Sequence, residues 1–339
     1  MTSANQYRPW GELSWALGMS AARRWHFLGC IAAEERSVEP LLELHRHDLL
    51  KSVQLARVRD LKPQSPELEE VEIEKRKANC AATGLQVSPV TLDLDVRVNE
   101  LTWPGAFDFR DKASVCLDIS CLPKRFFFPL LRAVFNSPEV KDLLVLYAKP
   151  RGYPPGEISG DRDSWKTIDQ FSLEDMTTEA QAEKSLIIST GFMVGGLVEY
   201  LSGPKDDLSM DLMVPFPAEP WDSVHRAWSS ARLIENELAI GNSSKRPAYH
   251  RVPALDGSTA FDRLLSITQF GEKPAALAPL GPKPTSMAMC LLASQTNHHP
   301  VYYAQPKTYA VNYSIGYEKT YAYWVKHSGD NLYALSRSI

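Results

Sequence analysis

The sequence predicts an α/β protein, built as a doubly wound, mostly parallel sheet with internally repeated βαβ units. Two observations predict it. From residue 114 onward, short continuous apolar runs (SVCLDIS, LLVLYA, LIIST, LMVPF, ALAPL and VYYA) alternate with longer helical segments. Runs of that length without polar alternation fit strands buried on both faces. In addition, a motif Y-A-x-P-basic-x-Y occurs twice, as YAKPRGY (147–153) and YAQPKTY (303–309). Each copy follows a Pro-Lys pair and an apolar stretch of helix length: Pro123-Lys124 with FFFPLLRAVF, then Pro282-Lys283 with SMAMCLLA. The repeated unit is therefore strand, Pro-Lys turn, helix, strand, and such units gather their loops at the carboxyl ends of the strands.

Taken in order, WHFLGCIAA (25–33) reads as a first strand, followed by a helical stretch from Val38 to Leu50 and a second strand, VQLARV (53–58). PELEEVEIEKRKANCAATGL (66–85) is a charged amphipathic helix that stops near Gly84. VTLDLDVRV (90–98) alternates as a half-exposed strand does. RFFFPLLRAVFNS (125–137) carries Pro129, which suits a first turn or an early kink. Residues 191–202 and 223–241 read as helices, the second stopped by Gly241 and Asn242. LMVPFPAEP (212–220) is a candidate degenerate third copy of the repeat. The polar segment 242–258 reads as a surface loop, TAFDRLLSITQF as a helix, and the Tyr-rich tail from Asn312 as a closing strand pair. These elements divide into an N-terminal α/β lobe, 1–110, and a ligand-binding core, 111–339.

Composition narrows the function classes. The chain has 339 residues, 44% of them apolar and 23% charged, with 37 Lys plus Arg against 41 Asp plus Glu, a net charge of -4. That balance argues against an extended nucleic-acid surface but permits a local basic pocket. Five cysteines without a CxxC pair read as reduced, mostly buried thiols. The start of the chain lacks a basic, apolar signal segment, and the most apolar window, 185–201, is too short to span a bilayer. A cytoplasmic location without membrane association is expected. No cofactor signature is present.

Candidate ligand residues fall just after predicted strands, where helix N-termini favour anions. Lys124 and Lys283 begin helices, an unfavourable place for a cation unless it meets a phosphate; the plainer reading is a solvated turn. Arg151 and Lys307 follow the repeated prolines, and Tyr153 and Tyr309 suit stacking on a base or packing under the loop. Glu34 and Arg36 suit a ribose hydroxyl and a phosphate, or simply pair with each other. Thr190 and Gly191 form a Gly-rich strand-to-helix turn that matches no nucleotide fingerprint. In an enzyme, Glu34 and Asp118 are the candidate catalytic acids. Other templates fail. There is no GxSxG elbow, His45 and His47 face different sides of a helix, and His298-His299 has no metal partner nearby. Glu72 and Lys75 stand in the wrong order for a nuclease pair with Asp93 and Asp95, and Cys121 has no evident base.

GCIAAEERS (29–37), LDISCLPKRFFF (117–128), the two YA[KQ]P[RK]xY loops and GPKP (281–284) together resemble an uncharacterised family of Rossmann-like proteins found beside prokaryotic defence genes. More distantly, they are similar to the nucleotide-sensing CARF and SAVED domains of CRISPR and cyclic-oligonucleotide signalling. The resemblance spans residues 25 to about 325 and brings no catalytic assignment. It implies a sensor for a nucleotide or other phosphorylated small molecule in antiviral defence, with a protein partner or a second copy of the chain. The alternatives are a nucleotide hydrolase or glycosyl-transfer enzyme, and a structural subunit of a defence complex.

Overall fold

The computed structural model describes residues 7–19, 23–60, 65–96, 107–155, 159–162, 165–172, 184–191, 197, 208–220, 223–240 and 245–335. The chain forms two compact units. The first consists of Arg8–Asp161 and Pro306–Leu332, the second of Arg162–Gln305 with both chain ends. The expected boundary at 110/111 falls inside the first unit, between two of its strands.

In chain order the elements are β1 (Trp10–Glu12), α1 (Leu13–Gly18), β2 (Trp25–Cys30), a 3₁₀ turn (Glu35–Ser37), α2 (Glu39–Arg46), β3 (Leu50–Arg59), α3 (Pro66–Ala82), β4 (Val90–Asp93), β5 (Ser114–Asp118), α4 (Lys124–Asn136), β6 (Asp142–Lys149) and β7 (Ser159–Arg162). There follow β8 (Lys166–Thr167), β9 (Ser185–Ser189), β10 (Ser209–Pro215), α5 (Ser223–Ile240), β11 (Ala248–Val252), α6 (Gly257–Ile267), β12 (Ala276–Pro279), α7 (Lys283–Ala293), β13 (Tyr302–Tyr303), β14 (Pro306–Tyr309), β15 (Lys319–His327) and β16 (Asp330–Asn331).

The first unit is built on a mixed sheet of order β1-β15-β6-β5-β2-β3-β4, with β16 beside β15. The five strands from β6 to β4 are parallel, and β15 closes the sheet antiparallel to both β6 and β1. Every residue of β2 and β6 is buried, which requires cover on both faces. On one face Phe27, Leu55, Cys116, Leu144, Leu146 and Trp324 pack with Leu13 of α1, Leu41 and Leu44 of α2, and Ile73 of α3. The opposite-pointing Leu28, Val115, Leu117, Leu143 and Val145 are equally buried. α3 begins with Pro66 after Ser65, carries Glu67 and Glu69 in its first turn, and ends where Gly84 turns back at φ 84°.

The second unit holds a wholly parallel sheet of order β11-β10-β9-β12. A parallel bridge from Leu277 to Val301 continues it beyond β12. β11 corrects the expectation of a loop over 242–258. Its sequence, AYHRV, is polar because it is the edge strand, and only Val252 is buried. The stretch 191–202, read as a helix, lies almost wholly outside the described residues. α7 is buried along its whole length from Pro284 to Ala293, a helix apolar or small on every side.

The apolar runs therefore do not share one sheet: SVCLDIS and LLVLYA belong to the first unit, LIIST, LMVPF and ALAPL to the second. The repeat itself is structural. Within its set of parallel strands, each unit follows the order third, second, first, fourth, and the helix after the fourth strand starts at Pro-Lys. The capping prolines match, Pro123 at φ -56°, ψ 149° and Pro282 at φ -57°, ψ 150°. Tyr147-Ala148 lies in the last three residues of the next strand of the first sheet, and Tyr303-Ala304 comes shortly after Val301 in the second unit.

Candidate functional site

In each sheet the direction in which successive strands are added reverses between two neighbouring parallel strands, β2 and β5 in the first unit, β9 and β12 in the second. Loops leaving such strands diverge and expose a crevice at their carboxyl ends. In the first unit, this is where the polar residues gather.

Glu34 stands at the start of the 3₁₀ turn after β2 and accepts a 2.9 Å hydrogen bond from Arg36 Nε, a close approach from the second guanidinium branch, and a bond from the Ser314 hydroxyl. Arg36 is buried, at 2% exposure, and donates through its other branch to the Ala148 carbonyl at 2.9 Å. Its guanidinium also lies over the Tyr147 ring, 5.8 Å from the centroid. Burial opposes the Arg36 charge, yet the Glu34 carboxylate holds the group well above its ordinary range. The surface-pair reading of Glu34 and Arg36 is thus half right: they do pair, but in the interior.

Asp118 ends β5, buried, and accepts from the Ser120 amide at 2.9 Å and from the Ser120 hydroxyl. Ser120 Oγ in turn accepts from the Ala148 amide at 2.7 Å. Both backbone groups of Ala148 are therefore held by side chains from neighbouring strand ends. Cys121, beside Glu34 and Arg36, has its thiol pushed well up, first by burial and then by Glu34, so a stabilised thiolate is not present there.

The C-terminal segment completes the cluster. Tyr153 and Tyr309, the last residues of the two repeated motifs, both make edge contacts with Tyr313, at 6.3 and 5.7 Å between ring centroids. The Tyr309 amide donates to Asp60, just past β3, at 2.7 Å. Burial raises the Asp60 carboxyl, with the Tyr309 amide working against that shift. Burial and then Tyr147 push the Tyr153 phenol well above its ordinary range, so it is a neutral donor at physiological pH.

The cations are distributed differently from the expectation. Lys124 is buried at 8% exposure in the first turn of α4, so it is not a solvated turn residue. Arg151 Nε donates to the Tyr317 carbonyl at 2.9 Å, and Lys307 sits within β14. These three belong to the first unit; Lys283 belongs to the second. The two Pro-Lys lysines hence occupy equivalent places in two sheets rather than one end of a single sheet, because each repeat closes a sheet of its own. In the second unit Thr190 is fully buried and its amide and hydroxyl both point to the Met213 carbonyl. Gly191 packs against Leu280.

Elsewhere, Glu72 pairs with Lys75 and Arg76 on the exposed side of α3, and Asp93 pairs with Arg59. His45 bonds the Thr83 carbonyl, and His299 bonds Ala275. Among the described residues no group of three or more His, Cys, Asp or Glu is arranged to hold a metal. Nor is any helix there long and apolar enough to cross a membrane. The residues missed from the sequence are Asp60, Ser120, Tyr147, Tyr313 and Ser314. Tyr147 opens the repeated motif and Asp60 follows a strand, so position marked those two; only folding brings Tyr313 and Ser314 to the strand ends. No family model matches the chain, and no curated protein matches it either.

Proposed function

We propose that the protein is a binding or sensor module for a nucleotide or another phosphorylated small molecule, with its principal site at the carboxyl ends of β2, β3, β5 and β6. The observation that carries this reading is the convergence there of Glu34, Arg36, Asp118, Tyr147 and Tyr153 with Tyr309 and Tyr313. Buried donors and acceptors at a direction reversal suit ribose hydroxyls, and tyrosine faces suit a base. The five parallel strands lie in the order third, second, first, fourth, fifth, which supports the same placement.

Binding is favoured over turnover because Glu34, a candidate acid, is already engaged: it holds Arg36 and Ser314 and is not disposed as a free acid or base. A role in prokaryotic antiviral defence and a protein or second-copy partner belong to the same proposal and rest on the sequence resemblance alone.

The test is equilibrium dialysis of the full chain against labelled nucleoside monophosphates, triphosphates and cyclic nucleotides, with chromatography of the recovered nucleotide. Saturable binding with unchanged nucleotide is expected, weakened about tenfold or more by Tyr313→Ala, since one base–aromatic contact contributes about 1–3 kcal/mol. Product formation would replace the sensor with an enzyme, and neither binding nor product would leave the assembly-subunit reading.

A further inference from the structure

The second unit has its own direction reversal, between β9 and β12, and it differs in chemistry from that of the first. Two backbones touch there. A methyl group on Gly191 would stand 2.2 Å from the Leu280 carbonyl oxygen, and one on Gly281 would stand 2.7 Å from the Thr190 carbonyl oxygen. The turn Leu280-Gly281-Pro282 then runs directly into α7, an eleven-residue helix whose N-terminus has no side-chain cap. The helix dipole makes such an end attractive to anions.

A second, independent observation is the Ser189 hydroxyl. Ser189 is the last residue of β9 and is 0% exposed, and its Oγ has no hydrogen-bond partner. It points at this turn: a Cβ on Gly281 would come within 2.1 Å of it. A buried hydroxyl without a partner costs stability, so its retention in the core needs an acceptor. Residue 281 is glycine, and any larger side chain there would collide with the hydroxyl.

The charge pattern agrees. Ser189–Gly191 and Leu280–Ser286 contain hydroxyls, glycines and Lys283 but no carboxylate. The corresponding loops of the first unit carry Glu34 and Asp118. We infer that the turn between β12 and α7 is an anion site for a phosphoryl group, with Ser189 Oγ as a donor and Lys283 and the start of α7 supplying positive potential. The inference rests on the reading of the protein as a binder of phosphorylated molecules.

The test uses inorganic pyrophosphate as the probe, titrated calorimetrically into the full chain at low salt, with Ser189→Ala, Lys283→Met and the exposed control Lys75→Met. Saturable binding is expected, weakened at least tenfold by Ser189→Ala and by Lys283→Met and unchanged by Lys75→Met. Without pyrophosphate, Ser189→Ala should melt at the same temperature as the parent or higher, since it removes an unpartnered hydroxyl. A lower melting temperature with unchanged binding would make Ser189 a packing residue and overturn the proposal. So would the absence of saturable binding in the parent chain. Should Ser189→Ala fail to fold, amide NMR shifts at Gly281, Lys283 and Thr285 on adding pyrophosphate to the parent decide the matter, and their absence refutes the site. Nucleotide binding that is sensitive to Tyr313→Ala, with pyrophosphate binding indifferent to both second-unit variants, would defeat this inference and leave the proposed function standing.

Discussion

Arg36 shows how a single residue can be legible in type and opaque in role. Its place after a strand, beside Glu34, suggests ligand recognition, whereas the fold spends the guanidinium on Glu34 and on the Ala148 carbonyl. A buried guanidinium cannot stay charged without such partners, and its planar fork reaches two of them at once. The histidines raise the same point with a measurable consequence. His299 is buried, bonds Ala275 through Nδ1, and has its pKa pushed down to about 4 by burial. A base whose folded pKa is depressed contributes stability above its unfolded value of 6.5, and that contribution is lost as pH falls from 6.5 toward 4. The shift corresponds to about 3 kcal/mol. Urea titrations at pH 7 and pH 4.5 should therefore show a larger acid loss in the parent than in His299→Gln. Equal losses in the two proteins would show that another group governs acid unfolding.

At the scale of elements, the Pro-Lys starts of α4 and α7 were marked in the sequence, and they share backbone angles to within a degree. Proline fixes its own φ and cannot continue the preceding strand, so Pro123 and Pro282 turn their chains into the following helices in the same way. The strand β11 was hidden for the opposite reason. An edge strand buries one residue in five here, and its polar composition is that of a loop. Glycines separate into two kinds that composition cannot tell apart. Gly84 ends α3 at φ 84° with open space around it, while Gly191 meets the Leu280 carbonyl. Alanine at 84 should cost about 1 kcal/mol through backbone strain. Alanine at 191 should cost more, about 1–3 kcal/mol, because a methyl 2.2 Å from a backbone oxygen forces two strand ends apart. Denaturant midpoints of the two variants provide the comparison, and a larger loss at 84 would contradict the close packing at the β9–β12 reversal.

For the whole molecule, the decisive feature is that the chain passes between its units at 7/8, 161/162, 305/306 and 332/333. The first unit is not a contiguous segment: β6 pairs with β15, about 170 residues away. A cut between 110 and 111 would separate β2 from β5, its parallel neighbour in the middle of the sheet, and split the core that Phe27, Leu55 and Ile73 form with Cys116 and Leu144. Residues 1–110, made alone, are expected to show a broad, poorly dispersed amide NMR spectrum, because they lack β5, β6 and β15 of their own sheet. A well-dispersed spectrum from 1–110 alone would show that the first lobe folds by itself.

The sequence by itself determined the α/β class, most of the helices and strands, the buried character of the parallel strands and the existence of a repeat. All of these depend on local periodicity, on proline and glycine geometry, or on similarity between segments, and each can be read within a short window of chain. It also marked the strand-end loops that carry Glu34, Asp118 and the two terminal tyrosines. Only the tertiary structure decided that the apolar runs divide between two sheets, that the repeats occupy equivalent places in separate units, and that Tyr153 and Tyr309 meet at Tyr313. The reason is physical: an apolar run records that a strand is buried but not which strand lies beside it. Pairing across more than a hundred residues is selected by closure of the whole core, through contacts that no local pattern encodes.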